Sequence, residues 1–236
     1  VLQFFKRSED HFGGASATHG AGGELRVEEQ RLRWPVLDTI ANAANEMGIP
    51  TSCDFNDGDN EGVGYFPVNQ RGGLRWNARK AFLDPAIKRP NLRIEKLALV
   101  QRLEMDGRKV TGVIFKQQDK LCRAGAMGEV VLSAGSIGSP KIMQLSGIGP
   151  ANHLSRLGVE VVSDVPELGE NLQDHLQIRS VYQISGAGTL NERMNSLFGK
   201  ASIAAEYLFK RSGPMSMAPS QLGIFTRSND RFNTAN

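Results

Sequence analysis

One stretch of small and apolar residues, at positions 129–149, constrains most strongly how this 236-residue chain can fold. It opens with an apolar run at 130–132, which predicts one short buried strand. The small residues Ser133, Ala134 and Gly135 follow directly, and Ser139-Pro140 predicts a helix with serine as its N-cap and proline as its first residue. A strand, a tight turn and a helix start let the backbone approach a phosphate or a sugar.

Composition and charge exclude several classes of protein. With 40% hydrophobic and 22% charged residues, the chain has the composition of a globular protein with one or two domains. The net charge is only +3, and no basic stripe alternates with aromatic residues, so nucleic acid is not an expected partner. The two distant cysteines, Cys53 and Cys122, predict neither a disulfide framework nor a metal site.

Three features of the sequence bear on the location of the protein. No apolar run approaches the length of a membrane span, and residues 1–10 do not have the pattern of a signal peptide. The cysteine usage favours a reducing compartment. We therefore expect a cytoplasmic protein, with peripheral attachment to the inner membrane as an alternative.

The two ends of the chain bear on its organisation. The first residue is Val1 rather than methionine, and Asn236 lies inside a polar stretch. From these features we expect the chain to be a central fragment of a longer protein, cut at both ends.

Periodicity predicts a mixture of helices and strands. A helix is predicted from Pro35 to Met47, ended by Gly48, and another is predicted at 151–157. A long helix is predicted to begin at Asn191. Its expected buried stripe consists of Met194, Leu197, Phe198, Ala201, Ala204, Ala205 and Leu208.

The strand predictions include an antiparallel meander. Strands at 92–103, 110–116 and 121–124 are separated by short turns, and Asp106-Gly107 marks a hairpin. Further strands are predicted at 65–68, 159–162 and 177–184.

Several loops resemble binding motifs without fulfilling them. The glycine-rich segment 13–23 is interpreted as a plain surface loop rather than a cofactor loop, because no strand precedes it and no helix start follows it. The acidic segment 54–64 lacks the spacing of an EF-hand and is interpreted as a solvated loop, and Gly62-Val63-Gly64 is not a dinucleotide fingerprint. Met215 and Met217 are compatible with a pocket wall or with core packing.

A family resemblance emerges from several ordered blocks. Residues 135–149 resemble, position by position, the second signature of the glucose–methanol–choline (GMC) flavin oxidoreductases. Segments at 5–10, 72–75, 89–92, 99–103, 129–135 and 168–175 are similar to family segments in family order. Residues 171–175 and 213–220 most resemble the choline-dehydrogenase-like members of bacteria.

The resemblance implies an FAD-dependent enzyme that oxidises a CH–OH group of choline or another alcohol by hydride transfer to the flavin. Val100, Ser133, Ala134 and Gly135 match positions that contact FAD. No residue of this chain matches the catalytic histidine, and no metal ligand is implied. The electron acceptor, oxygen or a quinone, is left open. His175 could serve as a general base, but its loop more readily packs over the cofactor or a domain junction.

The implied fold class is α/β with α+β character. Residues 1–175 are expected to form the central part of an FAD-binding domain, with a partial Rossmann-like sheet and an antiparallel β-meander, and segment 55–75 could reach the substrate domain. Residues 176–236 are expected to begin an antiparallel-sheet substrate domain. The alternatives are a non-catalytic binding protein that retains the scaffold and, less favoured, a nicotinamide-dependent Rossmann enzyme, whose glycine fingerprint is missing.

Overall fold

The computed structural model describes residues 1–229, 231–232 and 234–235. The helices are α1 (Leu2–Ser8), α2 (Pro35–Glu46), α3 (Asp84–Ala86), α4 (Gly135–Leu145), α5 (Ala151–Arg156), α6 (Leu190–Met194) and α7 (Leu197–Lys210). A π-helical turn (Arg79–Leu83) leads into α3, and a 3₁₀ turn occupies Pro214–Ser216. The strands are β1 (Glu9–His11), β2 (Leu25–Val27), β3 (Gly62–Tyr65), β4 (Gln70–Arg71), β5 (Leu74–Arg75), β6 (Leu99–Asp106), β7 (Lys109–Gln117), β8 (Lys120–Gly125), β9 (Ile148–Gly149), β10 (Ser163–Asp164) and β11 (Leu222–Phe225).

The chain forms two compact units, one made of Val1–Leu92 with Tyr182–Asn236 and the other of Arg93–Val181. Helices and small sheets occur in both, so the predicted mixture of α and β structure is confirmed. None of the described helices is both long enough and apolar enough to cross a membrane.

In the first unit, pairing between distant segments builds the sheets. Strands β1 and β2 run parallel, and β3 pairs antiparallel with β11, Gly62 lying opposite Phe225. The rings of Phe55, Phe66 and Phe225 pack beside that pair with centroids 4.9–6.2 Å apart. These aromatic contacts bury apolar surface that a two-stranded ribbon alone could not cover.

The carboxylate of Asp10 on β1 is expected to make the stability of this unit depend on pH. Its carboxylate accepts a hydrogen bond from the Gly22 N–H at 3.1 Å and pairs with Arg26 at 3.1 Å. The Gly22 hydrogen bond, followed by the Arg26 charge, holds the pKa of Asp10 below its ordinary value despite partial burial. A lowered folded-state pKa gives stabilisation that is present above the unfolded value of 3.8 and is lost as pH falls through the folded value.

We therefore expect Asp10→Asn to reduce the free energy of unfolding at neutral pH by about 0.5–1.5 kcal/mol. The difference between the variant and the parent should shrink once the pH is below 3.8. Urea unfolding at neutral pH and at about pH 3 measures both values. An equal difference at the two pH values would contradict the role assigned to this carboxylate.

In the second unit, the predicted meander is confirmed. Strands β6, β7 and β8 form one antiparallel sheet in that order, and the first hairpin turns at Gly107. A short parallel pair, β9 with β10, lies in the same unit. Leu103 and Leu154, 4% and 1% exposed, are its most buried apolar side chains.

The beginning of the 129–149 stretch differs from the prediction. Residues 130–132 are not a strand, and Val131 is 73% exposed. A buried strand requires neighbouring strands, and no strand of the described chain pairs with this segment. The helix begins at Gly135 with Ala134 as N-cap, so the predicted N-cap at Ser139 is wrong and Pro140 lies inside the helix.

Other boundaries also moved. The predicted helix at 35–47 is confirmed as α2, and that at 151–157 as α5. The strand predicted from 92 begins only at Leu99, and the strand predicted at 65–68 lies at 62–65. Segments 159–162 and 177–184 are not strands. Alternating apolar and polar side chains predict a strand, but a segment forms one only where a neighbouring strand pairs with it.

The helix predicted from Asn191 is two helices. Thr189 caps α6 through a capping box with Glu192, and Ser196 caps α7 by accepting a hydrogen bond from the Gly199 N–H at 2.9 Å. Two capping side chains in succession restart the helix. The predicted buried stripe is wrong, because Leu197 and Phe198 are each 85% exposed and Ile203 is the buried residue of α7.

Candidate functional site

The strand that carries Val100 is locally irregular. Val100 is half-buried on β6 and lies opposite Phe115, while the next paired residue is Arg102, opposite Ile114. Gln101 is therefore an extra residue in the ladder, which makes this point a β-bulge. The extra residue of a bulge stays unpaired, so the ladder is interrupted directly after Val100, on the edge strand of this sheet.

The turn formed by Ser133, Ala134 and Gly135 is exposed. Gly135 has a φ of +82°, and a Cβ built there would meet no atom within 4 Å. The Ala134 N–H donates to the Ser139 hydroxyl at 3.0 Å, and the first turn of α4 carries no acidic side chain. The N–H groups of the first helical turn have no partner within the helix, so this end of α4 suits an anionic group.

The other end of α4 is attached to β6. The Ser146 hydroxyl accepts a hydrogen bond from the Leu103 N–H at 2.7 Å and donates to the Ile142 carbonyl at 2.6 Å. Ser146 is 7% exposed and Leu103 is 4% exposed, so water cannot replace either bond easily. This serine therefore ties the helix of the predicted cofactor turn to the strand that carries Val100.

The glycines that follow permit close backbone packing. Gly147 has a φ of +81°, and a Cβ there would lie 2.3 Å from the Glu160 carbonyl oxygen. Nearby, the Gln144 side chain donates to the Leu168 carbonyl at 3.0 Å. The second half of the 135–149 stretch therefore packs closely against neighbouring segments, whereas its first half presents the exposed turn.

His175 does not occupy a prepared catalytic position. It lies in a coil, is exposed, and its backbone N–H donates to the Asp174 carboxylate at 2.8 Å. Among the described residues its imidazole makes no hydrogen bond or ion pair. A general base needs a group that orients its ring, so the geometry gives this residue no catalytic role.

The first unit contains a polar cluster, formed by Glu9, His11, His19 and Asp54, that was not predicted from the sequence. The two ring nitrogens of His19 face Glu9 at 3.0 Å and Asp54 at 2.6 Å. His11 stacks on His19 with ring centroids 4.0 Å apart. The segment 13–23 is thus not entirely a surface loop, since His19 is 7% exposed.

The electrostatics of the two histidines differ. Burial lowers the pKa of His19, but the hydrogen bonds to Glu9 and Asp54 outweigh it and raise the pKa above its ordinary value. Burial, followed by the neighbouring His19 charge, lowers the pKa of His11. No sequence signal could have revealed this cluster, because positions 9, 11, 19 and 54 follow no recognised spacing.

Comparison with known proteins decides the family. The family model described as GMC oxidoreductase matches residues 1–177 of this chain. The chain belongs to the GMC oxidoreductase family. The resemblance noted in residues 135–149 and their flanking blocks is therefore confirmed.

Two relatives match nearly the whole chain. It is 36% identical over 228 residues to the oxygen-dependent choline dehydrogenase of Brucella anthropi, covering 97% of this chain and 41% of that protein. It is 37% identical over 227 residues to the mitochondrial choline dehydrogenase of Homo sapiens, covering 96% of this chain and 38% of that protein. The GMC chain thus spans about two fifths of the length of these relatives.

The fold has a matching solved structure. An FAD-dependent oxidoreductase from Chaetomium thermophilum superposes with a TM-score of 0.83 at 27% sequence identity, covering 95% of this chain and 42% of that one. The small sheets and helices of this GMC chain therefore follow a known flavoprotein architecture.

Proposed function

We propose that this chain is part of an FAD-dependent oxidoreductase that oxidises the CH–OH group of choline or another small alcohol to an aldehyde or ketone. The observation that carries the proposal is the exposed turn at Ser133, Ala134 and Gly135, placed at the start of α4 in a chain of this family. The names of the choline dehydrogenases of Brucella anthropi and Homo sapiens support the substrate class.

The residues present fit the ADP half of FAD. Open space at the Gly135 Cβ position lets a bulky group approach the backbone, and the first turn of α4 has no acidic side chain to repel a pyrophosphate. The β-bulge leaves Gln101 unpaired directly after Val100 on the edge strand β6, and we propose that the adenine lies against this edge. The role of these four residues is our proposal, and they fit the group in shape and charge.

In this proposal the chain binds and orients FAD, and none of its residues moves a proton in the alcohol oxidation. FAD, when bound, supplies the hydride acceptor. Ser139 holds the N-terminal turn of α4 in shape through the Ala134 N–H, and Ser146 keeps α4 on β6. We assign the base for the substrate hydroxyl to a part of the protein outside this chain, because the His175 ring has no orienting partner in the described structure and both ring nitrogens of the buried His19 are held by carboxylates.

The domain and location assignments are also proposals. We assign residues 1–175 to the FAD-binding domain and 176–236 to the start of the substrate domain. The pairing of β3 with β11 supports the idea that segment 55–75 reaches the substrate domain, because it joins both segments in one sheet.

For location we propose the cytoplasm, with attachment at the inner membrane as the alternative. The electron acceptor that we propose is oxygen or a quinone.

The full-length protein, purified without added flavin, tests this proposal. We expect flavin absorbance at one FAD per chain and reduction of a dye that depends on added alcohol, with choline tried first. The isolated 236-residue chain should bind no FAD, since it spans only about two fifths of the length of the choline dehydrogenases that it matches. A full-length protein without flavin or without alcohol-dependent dye reduction would contradict the enzyme and favour a non-catalytic module.

A further inference from the structure

A cluster of histidines and carboxylates in the first unit has no part in the proposed alcohol oxidation. His11 comes from β1, His19 from the glycine-rich loop and Asp54 from the loop after α2. One donor atom from each of these residues lies within 4.8 Å of the other two. Both histidines are buried, and a cavity of about 200 Å³ borders them together with Glu9.

His11 provides the first sign that the cluster lacks a partner. Its Nδ1 atom accepts the Gly13 N–H at 3.2 Å, while its Nε2 atom is buried and has no hydrogen-bond partner in the described structure. The residue as a whole is 9% exposed. Buried polar atoms are nearly always paired in folded proteins, so an unpaired ring nitrogen beside two other donors points to a missing ligand.

The orientation of His19 provides the second sign. Its Nδ1–H donates to the Glu9 carboxylate at 3.0 Å, and Glu9 is itself held by the Gly20 N–H at 2.8 Å. This contact directs Nε2 towards Asp54, 2.6 Å away. A carboxylate that holds one imidazole nitrogen while the other faces a ligand set is the usual outer arrangement of metal-binding histidines.

We propose that His11 Nε2, His19 Nε2 and Asp54 Oδ2 bind one divalent transition-metal ion, with Glu9 as a positioning residue. Two imidazole nitrogens and one carboxylate oxygen suit Zn²⁺ and similar ions, whereas Ca²⁺ and Mg²⁺ prefer oxygen donors throughout. Three protein ligands leave a fourth coordination position for water or an added ligand, and the cavity of about 200 Å³ beside the two histidines offers room for it.

Binding requires the His11 ring to turn, because it stacks on His19 with ring centroids 4.0 Å apart, and two stacked imidazoles cannot both direct a ring nitrogen at one ion. The proton on His19 Nε2 leaves to the solvent, and the metal takes its place between the ring and Asp54. On His11 the ring proton moves from Nε2 to Nδ1, which gives up the 3.2 Å contact from Gly13. Ligand atoms about 2.1 Å from a tetrahedral ion lie about 3.4 Å apart, so the His19–Asp54 pair must open from 2.6 Å, while all three ligand atoms already lie within 4.8 Å of one another.

The test uses the untagged full-length protein, stripped with a chelator and dialysed against dilute Zn²⁺. Elemental analysis should find one Zn²⁺ per chain at this site, and Zn²⁺ should raise the melting temperature. His11→Gln should weaken Zn²⁺ binding more than 100-fold, since it removes a ligand. His153→Gln, an exposed histidine on α5, is the matched control and should bind Zn²⁺ as the parent does.

A second variant keeps the proposal testable if His11→Gln folds poorly, which its melting temperature in chelator would reveal. Glu9→Gln should fold and bind Zn²⁺ about 10- to 100-fold more weakly. Absence of Zn²⁺ binding by the parent, or equal binding by the parent, His11→Gln and Glu9→Gln, would overturn the site. Flavin content is a separate readout, so failure here does not bear on the alcohol oxidation.

Discussion

Gly135→Val in the full-length protein is expected to weaken FAD binding by about 10- to 100-fold. Gly135 has a φ of +82°, where a β-branched residue costs about 1–3 kcal/mol. The added side chain would also fill the open space at the start of α4 that the pyrophosphate is proposed to approach. Titration of the flavin-free protein with FAD, followed by flavin fluorescence, measures the loss.

Gly107→Val separates the loss of the cofactor contact from general strain. Gly107 has a φ of +57° and an equally open Cβ position, and it lies in the β6–β7 hairpin of the same unit. We expect this variant to lose stability to a similar degree but to keep nearly the parental FAD affinity. If both variants lost FAD equally, the turn at Gly135 would have no special role.

Ser146→Ala is expected to lower the free energy of unfolding by about 1–3 kcal/mol. The hydroxyl is the acceptor for the buried Leu103 N–H, and its removal leaves that N–H without a partner where water cannot reach it. Since the same serine joins α4 to β6, FAD affinity should fall as well. Urea unfolding and the FAD titration together give both quantities.

Ser155→Ala is the control for that experiment. Ser155 is an exposed residue of α5 in the same unit, and its replacement should change stability by less than about 0.5 kcal/mol. A Ser146→Ala variant as stable as Ser155→Ala would show that the joint between α4 and β6 contributes little.

Elements with strong local signals were predictable from the sequence. Helix α2 has proline at its first position and Gly48 just beyond its end, and the hairpin between β6 and β7 turns at Asp106-Gly107. In these segments local propensity and tertiary packing favour the same structure. The meander and the helix could therefore be derived without knowledge of the rest of the chain.

Elements that depend on partners were not predictable. The apolar run at 130–132 has the composition of a buried strand, yet nothing in the described chain pairs with it. Ser139 has the residue type of an N-cap, but its hydroxyl accepts from Ala134, five residues back, inside a helix that has already begun. The local sequence shows which contacts a residue can form. Which of these contacts it does form depends on the rest of the fold.

The candidate site likewise has one part that was predictable from the sequence and one that was not. The turn at 133–135 was found because a family pattern marks it, and its exposure and positive φ agree with that assignment. The Ser146 joint and the His19 cluster rest on contacts between residues more than 30 positions apart, namely Leu103 with Ser146 and His19 with Asp54. Such pairs leave no periodic trace in a single sequence.

A crystal structure of the full-length protein with FAD tests the central claim most directly. We expect the pyrophosphate to lie against the backbone of Ala134 and Gly135 at the start of α4, and the adenine to lie against the backbone of Val100. FAD bound with its ADP half away from these residues would contradict the assignment of this turn to the cofactor.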